Sequence, residues 1–341
     1  MVEPLGDDYP LLVIVGPTSA GKSVLALALA ERLDGEIINC DSVQVFRGFN
    51  IGAGKVPPDE RRGIPHHLLD MVEPDQVFTA GDYRREALRA LVNVRKRGKL
   101  PIVVGGTGLY LRALLLGLFA GPPRSEVVRE RLRAMAHRRG REFLHRLLRR
   151  LDPTTAARIH PRDTQKIIRA VEVCLVARQP LSAMLARGRG GLRGFRVFRV
   201  GLSPERRQLS ARINARVEHM FAHGLLDEAR ATLERTQGCG RDLQPLRALG
   251  YRQACAALRG ELSREEAVRK TQTATRQYAK RQTTWFRRET DVAWFPGFGD
   301  DPEMQRQILA WLRQAWPAAA SAAPTSAYPI HPTQTCDGQD P

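Results

Sequence analysis

The chain of 341 residues has few cysteines and no apolar run long enough to cross a membrane. Its five cysteines are scattered and include no C-x-x-C pair, which argues against a zinc site and a disulfide framework. The best candidate for a membrane segment, residues 109–119, is too short and contains Arg112. The first residues include Glu3, Asp7 and Asp8, unlike a signal peptide. We therefore expect a protein of the reducing cytoplasm without a membrane segment.

Acidic residues are also scarce, but only after the first 80 residues. The formal net charge is +18, from 54 Lys and Arg against 36 Asp and Glu. Residues 1–80 hold 6 basic and 12 acidic residues, so the rest of the chain holds 48 and 24, a net charge of +24. This asymmetry indicates a large anionic partner, and nucleic acid is the obvious candidate. The alternative is that a GC-rich genome favours arginine and that the charges lie on solvated helix faces.

A glycine-containing loop joins a predicted strand to a predicted helix near the start of the chain. The apolar run at residues 11–15 predicts a buried strand, and the Ala- and Leu-rich residues 24–33 predict a helix. The loop between them matches the phosphate-binding pattern G-x-x-x-x-G-K-[ST], as Gly16-Pro17-Thr18-Ser19-Ala20-Gly21-Lys22-Ser23. Its backbone N–H groups and Lys22 favour an anion, and the Ser23 hydroxyl can hold Mg²⁺. We expect a bound di- or triphosphate; the alternative is a chance match in a turn.

Strands and helices continue to alternate after this loop. Strands are predicted at residues 35–40, 101–104 and 195–202, and a helix at 79–97. The pattern predicts an α/β fold, in which a P-loop parallel sheet is flanked by helices and ligands bind at the C-terminal ends of the strands. Composition predicts a first part of the core at 8–121 and a basic helical insertion at 122–194. A mostly helical second part of the core follows at 195–316, and then a disordered tail at 317–341.

Asp41 is the carboxylate that the predicted strand ends offer beside the phosphate loop. The third strand ends instead in two glycines, before Thr107. Asp41 is therefore a candidate metal ligand or general base, and the alternative is a carboxylate that only caps the turn after its strand. Because Asp41, Thr107 and the phosphate loop all follow strands, we expect them to converge on one cleft.

Six sequence blocks, in this order, resemble those of the tRNA dimethylallyltransferases, also called tRNA isopentenyltransferases. They are the phosphate loop, DSVQVFR at 41–47, PHHLLD at 65–70, VGGTGLY at 104–110, RALGYR at 247–252 and TRQYAKRQTTW at 275–285. Phe46 and Asn50 stand where the family usually has Tyr and Asp, a departure that concerns local packing. The resemblance implies transfer of a dimethylallyl group from dimethylallyl diphosphate to N6 of adenosine 37 in tRNA, with release of diphosphate. It also implies a cytoplasmic enzyme, a monomer, that uses Mg²⁺.

The resemblance also implies roles for individual residues. Asp41 is expected to accept the N6 proton, and Arg212 to assist the diphosphate, unless Arg212 is an ordinary solvated or salt-bridged helix arginine. The anticodon loop of tRNA is the expected partner, and the charge asymmetry makes the basic helical insertion the expected tRNA-binding part. We expect the side of the site that faces tRNA to include Asp41, Ser42, Val43, Gln44, Thr107, Arg129, Gln165, Lys166, Ile167, Ile168, Arg169, Arg247, Ala248, Leu249, Gly250, Tyr251, Arg252, Arg276 and Lys280.

Two functions of other classes remain open from the residues alone. One is a small-molecule phosphotransferase that uses ATP, which would turn over ATP without RNA. The other is a non-catalytic RNA-binding ATPase or switch, which would bind RNA without forming a covalent product. The motifs after residue 240 favour the transferase over both.

Overall fold

A single parallel sheet organises the chain, for which the computed structural model describes residues 9–188, 190–236 and 243–316. Within these ranges the strands are β1 (Tyr9–Val15), β2 (Gly35–Asn39), β3 (His66–His67), β4 (Leu100–Val104), β5 (Phe195–Leu202) and β6 (Val292–Phe295). They pair in the order β3-β2-β4-β1-β5-β6, each pair parallel. The predicted α/β fold with a parallel sheet flanked by helices is confirmed.

Helices make up most of the remaining described structure. In chain order they are α1 (Lys22–Leu33), α2 (Ala80–Lys96), α3 (Gly108–Leu116), α4 (Glu126–Arg139), α5 (Arg141–Leu151), α6 (Pro153–Arg158), α7 (Thr164–Ala177), α8 (Leu181–Ala186), α9 (Arg206–Ala222), α10 (Leu225–Arg235), α11 (Tyr251–Leu258), α12 (Arg264–Phe286) and α13 (Pro302–Ala315). Short 3-10 helices cover Pro58–Arg61 and Pro245–Arg247. None of these described helices has the length and apolar character needed to cross a membrane.

The central strands are apolar because helices cover both faces of the sheet. Residues 11–15 of β1 are at most 3% exposed, and all of β2 and β4 is buried. Val13 pairs with Val103 of β4 and with Arg199 of β5, so these strands end at the same edge of the sheet. The loops that follow β1, β2 and β4 therefore meet, which positions the site.

By its internal contacts the chain forms two units. One comprises the residues up to Leu111 and those from Arg193 onward, and the other is a helical unit from Arg112 to Leu192. The sequence had suggested 122–194 for this insertion; the predicted disordered tail at 317–341 lies outside the described residues. The helical unit has a core of its own, which includes Leu132, Leu148 and Val171. Residues 112–192 contain 18 Lys and Arg against 6 Asp and Glu, so this unit is strongly basic.

Candidate active site

The phosphate loop is a strained turn that packs closely against residues 299–300. Ser19 and Gly21 have positive φ, +62° and +81°. A Cβ at Gly21 would lie 2.8 Å from Gly299 N and from the Asp300 carboxylate, so this position requires glycine. Lys22, the first residue of α1, folds back and donates from Nζ to Pro17 O at 2.7 Å. The loop is therefore preformed around its lysine.

Gln282 of α12 fixes this loop from the opposite side. Its Oε1 accepts the N–H of Thr18 at 2.8 Å, and its Nε2 donates to Gly106 O, after β4, at 2.9 Å. The side chain is buried, and its bond to Gly106 O forms away from water. One amide thus joins the turns after β1 and β4. The sequence block 275–285 contained Gln282, but sequence reasoning gave it no role.

Asp41 and Thr107 lie together at the ends of β2 and β4, as the strand order requires. Asp41 Oδ1 accepts N–H groups from Val43 at 2.8 Å and Gln44 at 3.3 Å, so this carboxylate does cap its turn. Thr107 Oγ1 accepts the Ser42 N–H at 3.1 Å. Both capping bonds use Oδ1 of Asp41, which leaves Oδ2 for a substrate. The capping role and a catalytic role are therefore compatible.

Two cavities meet at Asp41. The first, the phosphate-loop cavity, has a volume of about 620 Å³ and is lined by residues 18–24. The second cavity, of about 290 Å³, is lined by Ser42, Val43, residues 247–250 and side chains of α9 and α12. Six residues line both cavities, namely Thr18, Ser19, Asp41, Ala53, Arg216 and Tyr278. A ligand in one cavity can therefore reach a ligand in the other at Asp41.

The phosphate-loop cavity concentrates positive charge. Burial, and after it the neighbouring Arg216, lower the pKa of Lys22 to about 8 against the opposing charge of Asp41. Burial also lowers the pKa of Arg216, again against the charge of Asp41. Two cations are thus held near one carboxylate in a partly desolvated space, which favours a polyanion that would restore their full protonation.

Arg216, rather than the predicted Arg212, reaches the phosphate loop. Its Nη1 lies 3.4 Å from Thr18 Oγ1, and it lines both cavities. Arg212 lines only the phosphate-loop cavity, where its guanidinium pairs with Asp300 at 2.7 Å and stacks over Phe298 at 3.8 Å. Arg212 is thus the salt-bridged helix arginine that the sequence left as the alternative. The two arginines share one face of α9, so sequence spacing could not separate them.

Several residues expected to contact tRNA are buried. Ile167 and Ile168 of α7 are 0% and 4% exposed and belong to the core of the helical unit. Tyr251 is also 0% exposed, and its hydroxyl bonds to Glu228. These three side chains pack inside the protein, because apolar periodicity and family motifs mark packing positions as readily as binding positions. Gly250 is buried as well, but it lines the second cavity.

Two arginines of the helical unit share one buried carboxylate. Glu172 is 0% exposed and accepts from Arg129 Nε at 2.9 Å, from Arg169 Nη1 at 3.0 Å and from Ser125 N at 2.6 Å. These bonds hold the pKa of Glu172 below its usual range despite burial, which alone would raise it. The sequence placed Arg129 and Arg169 on the side facing tRNA; the structure shows that they are first of all held by Glu172.

The other predicted contacts lie at surfaces. Exposed positions are Gln165, Lys166, Arg247, Arg252 and Lys280. Lys166 pairs with Asp163 at 2.6 Å. Arg276 is half-buried and donates to Thr273 Oγ1 at 3.0 Å and to Asn214. Ala248 and Leu249 line the second cavity, whereas Gln44 lines the phosphate-loop cavity.

The described residues offer few protein ligands for a metal. No group of three or more His, Cys, Asp or Glu in the described ranges is arranged to hold a metal ion. Ser23 and Asp41 both line the phosphate-loop cavity. This donor set suits Mg²⁺ that arrives with a diphosphate, because Mg²⁺ keeps several waters and takes only one or two protein ligands in such sites. His66 and His67 do not form a metal pair, since His67 bonds Glu36 at 2.6 Å and His66 bonds Ile64 O at 2.9 Å.

Comparison with known proteins identifies the family. Residues 44–289 match the family described as IPP transferase. The tRNA dimethylallyltransferase of Koribacter versatilis is 54% identical over 306 residues, covering 90% of this chain and 99% of that protein. The chain belongs to the tRNA dimethylallyltransferase family. The family member from Solibacter usitatus is 51% identical over 300 residues, covering 88% and 97% of the two chains. The activity is therefore transfer of a dimethylallyl group to tRNA, as the motifs predicted.

Solved structures agree with this assignment. The full-length tRNA isopentenylpyrophosphate transferase of Bacillus halodurans superposes with a TM-score of 0.66 at 35% identity, covering 92% of this chain and 98% of that one. A eukaryotic dimethylallyltransferase, solved acting on tRNA, superposes with a TM-score of 0.76 at 26% identity, covering 90% and 80%. The enzyme is thus a prenyl transferase with the fold of this family.

Proposed function

We propose that the donor is dimethylallyl diphosphate, bound in the phosphate-loop cavity, and that the acceptor is N6 of adenosine 37 of tRNA, which enters the second cavity. The observation that carries this proposal is the junction of the two cavities at Asp41 and Arg216. A donor and an acceptor that approach from different cavities would meet beside the carboxylate of Asp41 and the guanidinium of Arg216. We further propose that the enzyme works as a cytoplasmic monomer.

In this proposal the phosphate-loop side of the site stabilises the leaving group. As the C–O bond of the allylic diphosphate breaks, negative charge grows on the bridging and terminal oxygens. Lys22, Arg216 and backbone N–H groups of the loop would surround these oxygens, and stabilisation of growing charge by preorganised donors lowers the barrier. Ser23 would hold Mg²⁺, which neutralises part of the diphosphate charge when bound.

The strand-end side of the site would handle the proton. As N6 bonds to the allylic carbon, it becomes positively charged and must lose a proton, which Asp41 Oδ2 is free to accept. The balanced products are N6-dimethylallyladenosine in tRNA, diphosphate and one proton on Asp41, later released to solvent. The adenine must leave its stack to reach this depth, and enclosure in the cavity protects the allylic cation from water.

Incubation of unmodified tRNA with the enzyme, dimethylallyl diphosphate and Mg²⁺ tests this function. Mass spectrometry of ribonuclease fragments of the tRNA should show N6-dimethylallyladenosine at position 37 alone, formed with one equivalent of diphosphate. ATP in place of the allylic donor should give no product, and ATP should not be turned over without RNA. Turnover of ATP with no prenylated nucleoside would establish the phosphotransferase instead.

A further inference from the structure

The loop at residues 50–54 forms part of the wall of both cavities. Gly52 and Ala53 line the second cavity, and Ala53 and Gly54 line the phosphate-loop cavity. Gln44 Nε2 donates to the carbonyl oxygens of Ala53 at 3.1 Å and Gly54 at 3.2 Å, which fixes the loop beside the turn that carries Asp41. The position of this loop therefore shapes the junction where the substrates are proposed to meet.

Glu228 of α10 binds this loop from behind through a row of backbone N–H groups. Its carboxylate accepts from Asn50 N at 2.7 Å, from Ile51 N at 2.9 Å and from Gly52 N at 3.2 Å. Three consecutive donors around one side chain require a full carboxylate, because an amide at this position would turn one of its own donors toward them. The conformation of this loop is therefore held by the charged carboxylate of Glu228, which lies outside both cavities.

Tyr251 of α11 completes the contact. Its hydroxyl donates to Glu228 Oε1 at 2.5 Å and accepts the Ala53 N–H at 3.2 Å. A Cβ at Gly52 would lie 2.5 Å from the Tyr251 ring, so the loop backbone packs directly on this ring. Four successive N–H groups, from Asn50 to Ala53, thus end on the Glu228–Tyr251 pair.

On its other side the loop touches Arg216. A Cβ built at Gly54 would lie only 1.8 Å from Arg216 Nη2, and Gly54 has a φ of +59°. The guanidinium therefore rests against bare backbone, and a small displacement of the loop changes where it points. The contact joins Glu228, through residues 50–54, to Arg216, the arginine of α9 that reaches the phosphate loop.

We propose that Glu228 is a positioning residue: its carboxylate fixes residues 50–54 and thereby sets the place of the Arg216 guanidinium at the diphosphate. This proposal rests on the proposed function, because its effect is measured as the rate of transfer from dimethylallyl diphosphate. Glu228 touches neither proposed substrate and does not line either cavity. Its effect should therefore pass entirely through the loop and Arg216.

The test is a double-mutant cycle between Glu228→Gln and Arg216→Ala. Because hydrogen bonds to a charged group are the strong ones, Glu228→Gln alone should lower kcat/KM for dimethylallyl diphosphate about tenfold to a hundredfold. In the Arg216→Ala background the same change should cost less than about threefold, since the group it positions is gone. Glu228→Asp, which keeps the charge, should recover part of the loss. Glu234→Gln, an exposed position on the same helix, is the matched control and should behave as wild type.

Equal losses in both backgrounds would overturn the proposal, as would a Glu228→Gln enzyme that matches Glu234→Gln. If Glu228→Gln unfolds below the assay temperature, Tyr251→Phe takes its place, because it removes only the hydroxyl that bonds Glu228 and Ala53. It should show a smaller loss that again disappears with Arg216→Ala; an additive loss overturns the proposal. Failure of the proposed function is distinct, because the wild-type enzyme would then form no prenylated nucleoside from dimethylallyl diphosphate.

Discussion

Replacement of Arg216 should damage the enzyme far more than replacement of Arg212, although the two arginines lie one turn apart on α9. Arg216 faces the phosphate loop, with Lys22 and Asp41 as nearby charges. Arg212 is exposed at the rim of the cavity, and Asp300 already compensates its charge. The comparison therefore distinguishes Arg216, whose charge can bind a ligand, from Arg212, whose charge forms an ion pair within the protein.

The expected magnitude follows from the distance and the environment. Two unit charges about 4 Å apart interact by about 4 kcal/mol at an effective dielectric constant of ~20. The transition state loses most of this attraction relative to free enzyme and substrate, so about 3–4 kcal/mol, a loss of about 10²–10³-fold in kcat/KM, is expected for Arg216→Ala. Arg212→Ala loses an exposed ion pair worth about 0–1 kcal/mol and should cost less than about fivefold.

Initial rates with labelled dimethylallyl diphosphate and saturating tRNA measure both losses. Arg216→Lys should fall between wild type and Arg216→Ala, because it keeps the charge but not the planar fork. Thermal unfolding of each variant controls for folding. A larger loss for Arg212→Ala than for Arg216→Ala would refute the assignment and restore the interpretation from sequence.

Two further predictions concern buried charges. Lys22 attracts the diphosphate only while its amine is protonated. Because the pKa of Lys22 is lowered from 10.5 to about 8, kcat/KM should fall about tenfold per pH unit above pH 8. Lys22→Arg should move this fall upward, and a profile flat to pH 10 would contradict the pKa assignment. Glu172→Gln leaves Arg129 and Arg169 without their carboxylate and should destabilise the helical unit by about 3–5 kcal/mol in thermal or urea unfolding. Glu130→Gln, an exposed control on α4, should change stability by less than about 0.5 kcal/mol.

The parts of the fold that the sequence predicted well are those with a long, periodic signal. Strand β5 was predicted with the same bounds, and helix α2 within one residue at each end, because Thr79 and Asp82 form a capping box at its start. Strands β3 and β6 were not predicted. They contain two and four residues at the edges of the sheet, too few for a pattern to form.

In the site as well, the residues that could be predicted are those whose signal lies close together in the sequence. The phosphate loop could be predicted because its chemistry lies within eight consecutive residues. Gln282, Glu228 and Arg216 could not be assigned roles, because each bonds to a loop between 176 and 264 residues away in the sequence. The family resemblance named motifs but could not distinguish their buried members from their exposed ones, which is why the predicted tRNA-facing residues include Ile167 and Tyr251, whose side chains are buried.

The most direct test of the central claim, that chemistry takes place where the two cavities meet, is a single-turnover measurement with Asp41→Asn. The asparagine keeps Oδ1 to accept from Val43 and Gln44, so the turn should persist, but it cannot take the N6 proton. Transfer of the dimethylallyl group from a preformed complex should slow by about 10²–10⁴-fold, with the affinities for tRNA and dimethylallyl diphosphate each within a few-fold of wild type. Transfer at the wild-type rate would contradict the account.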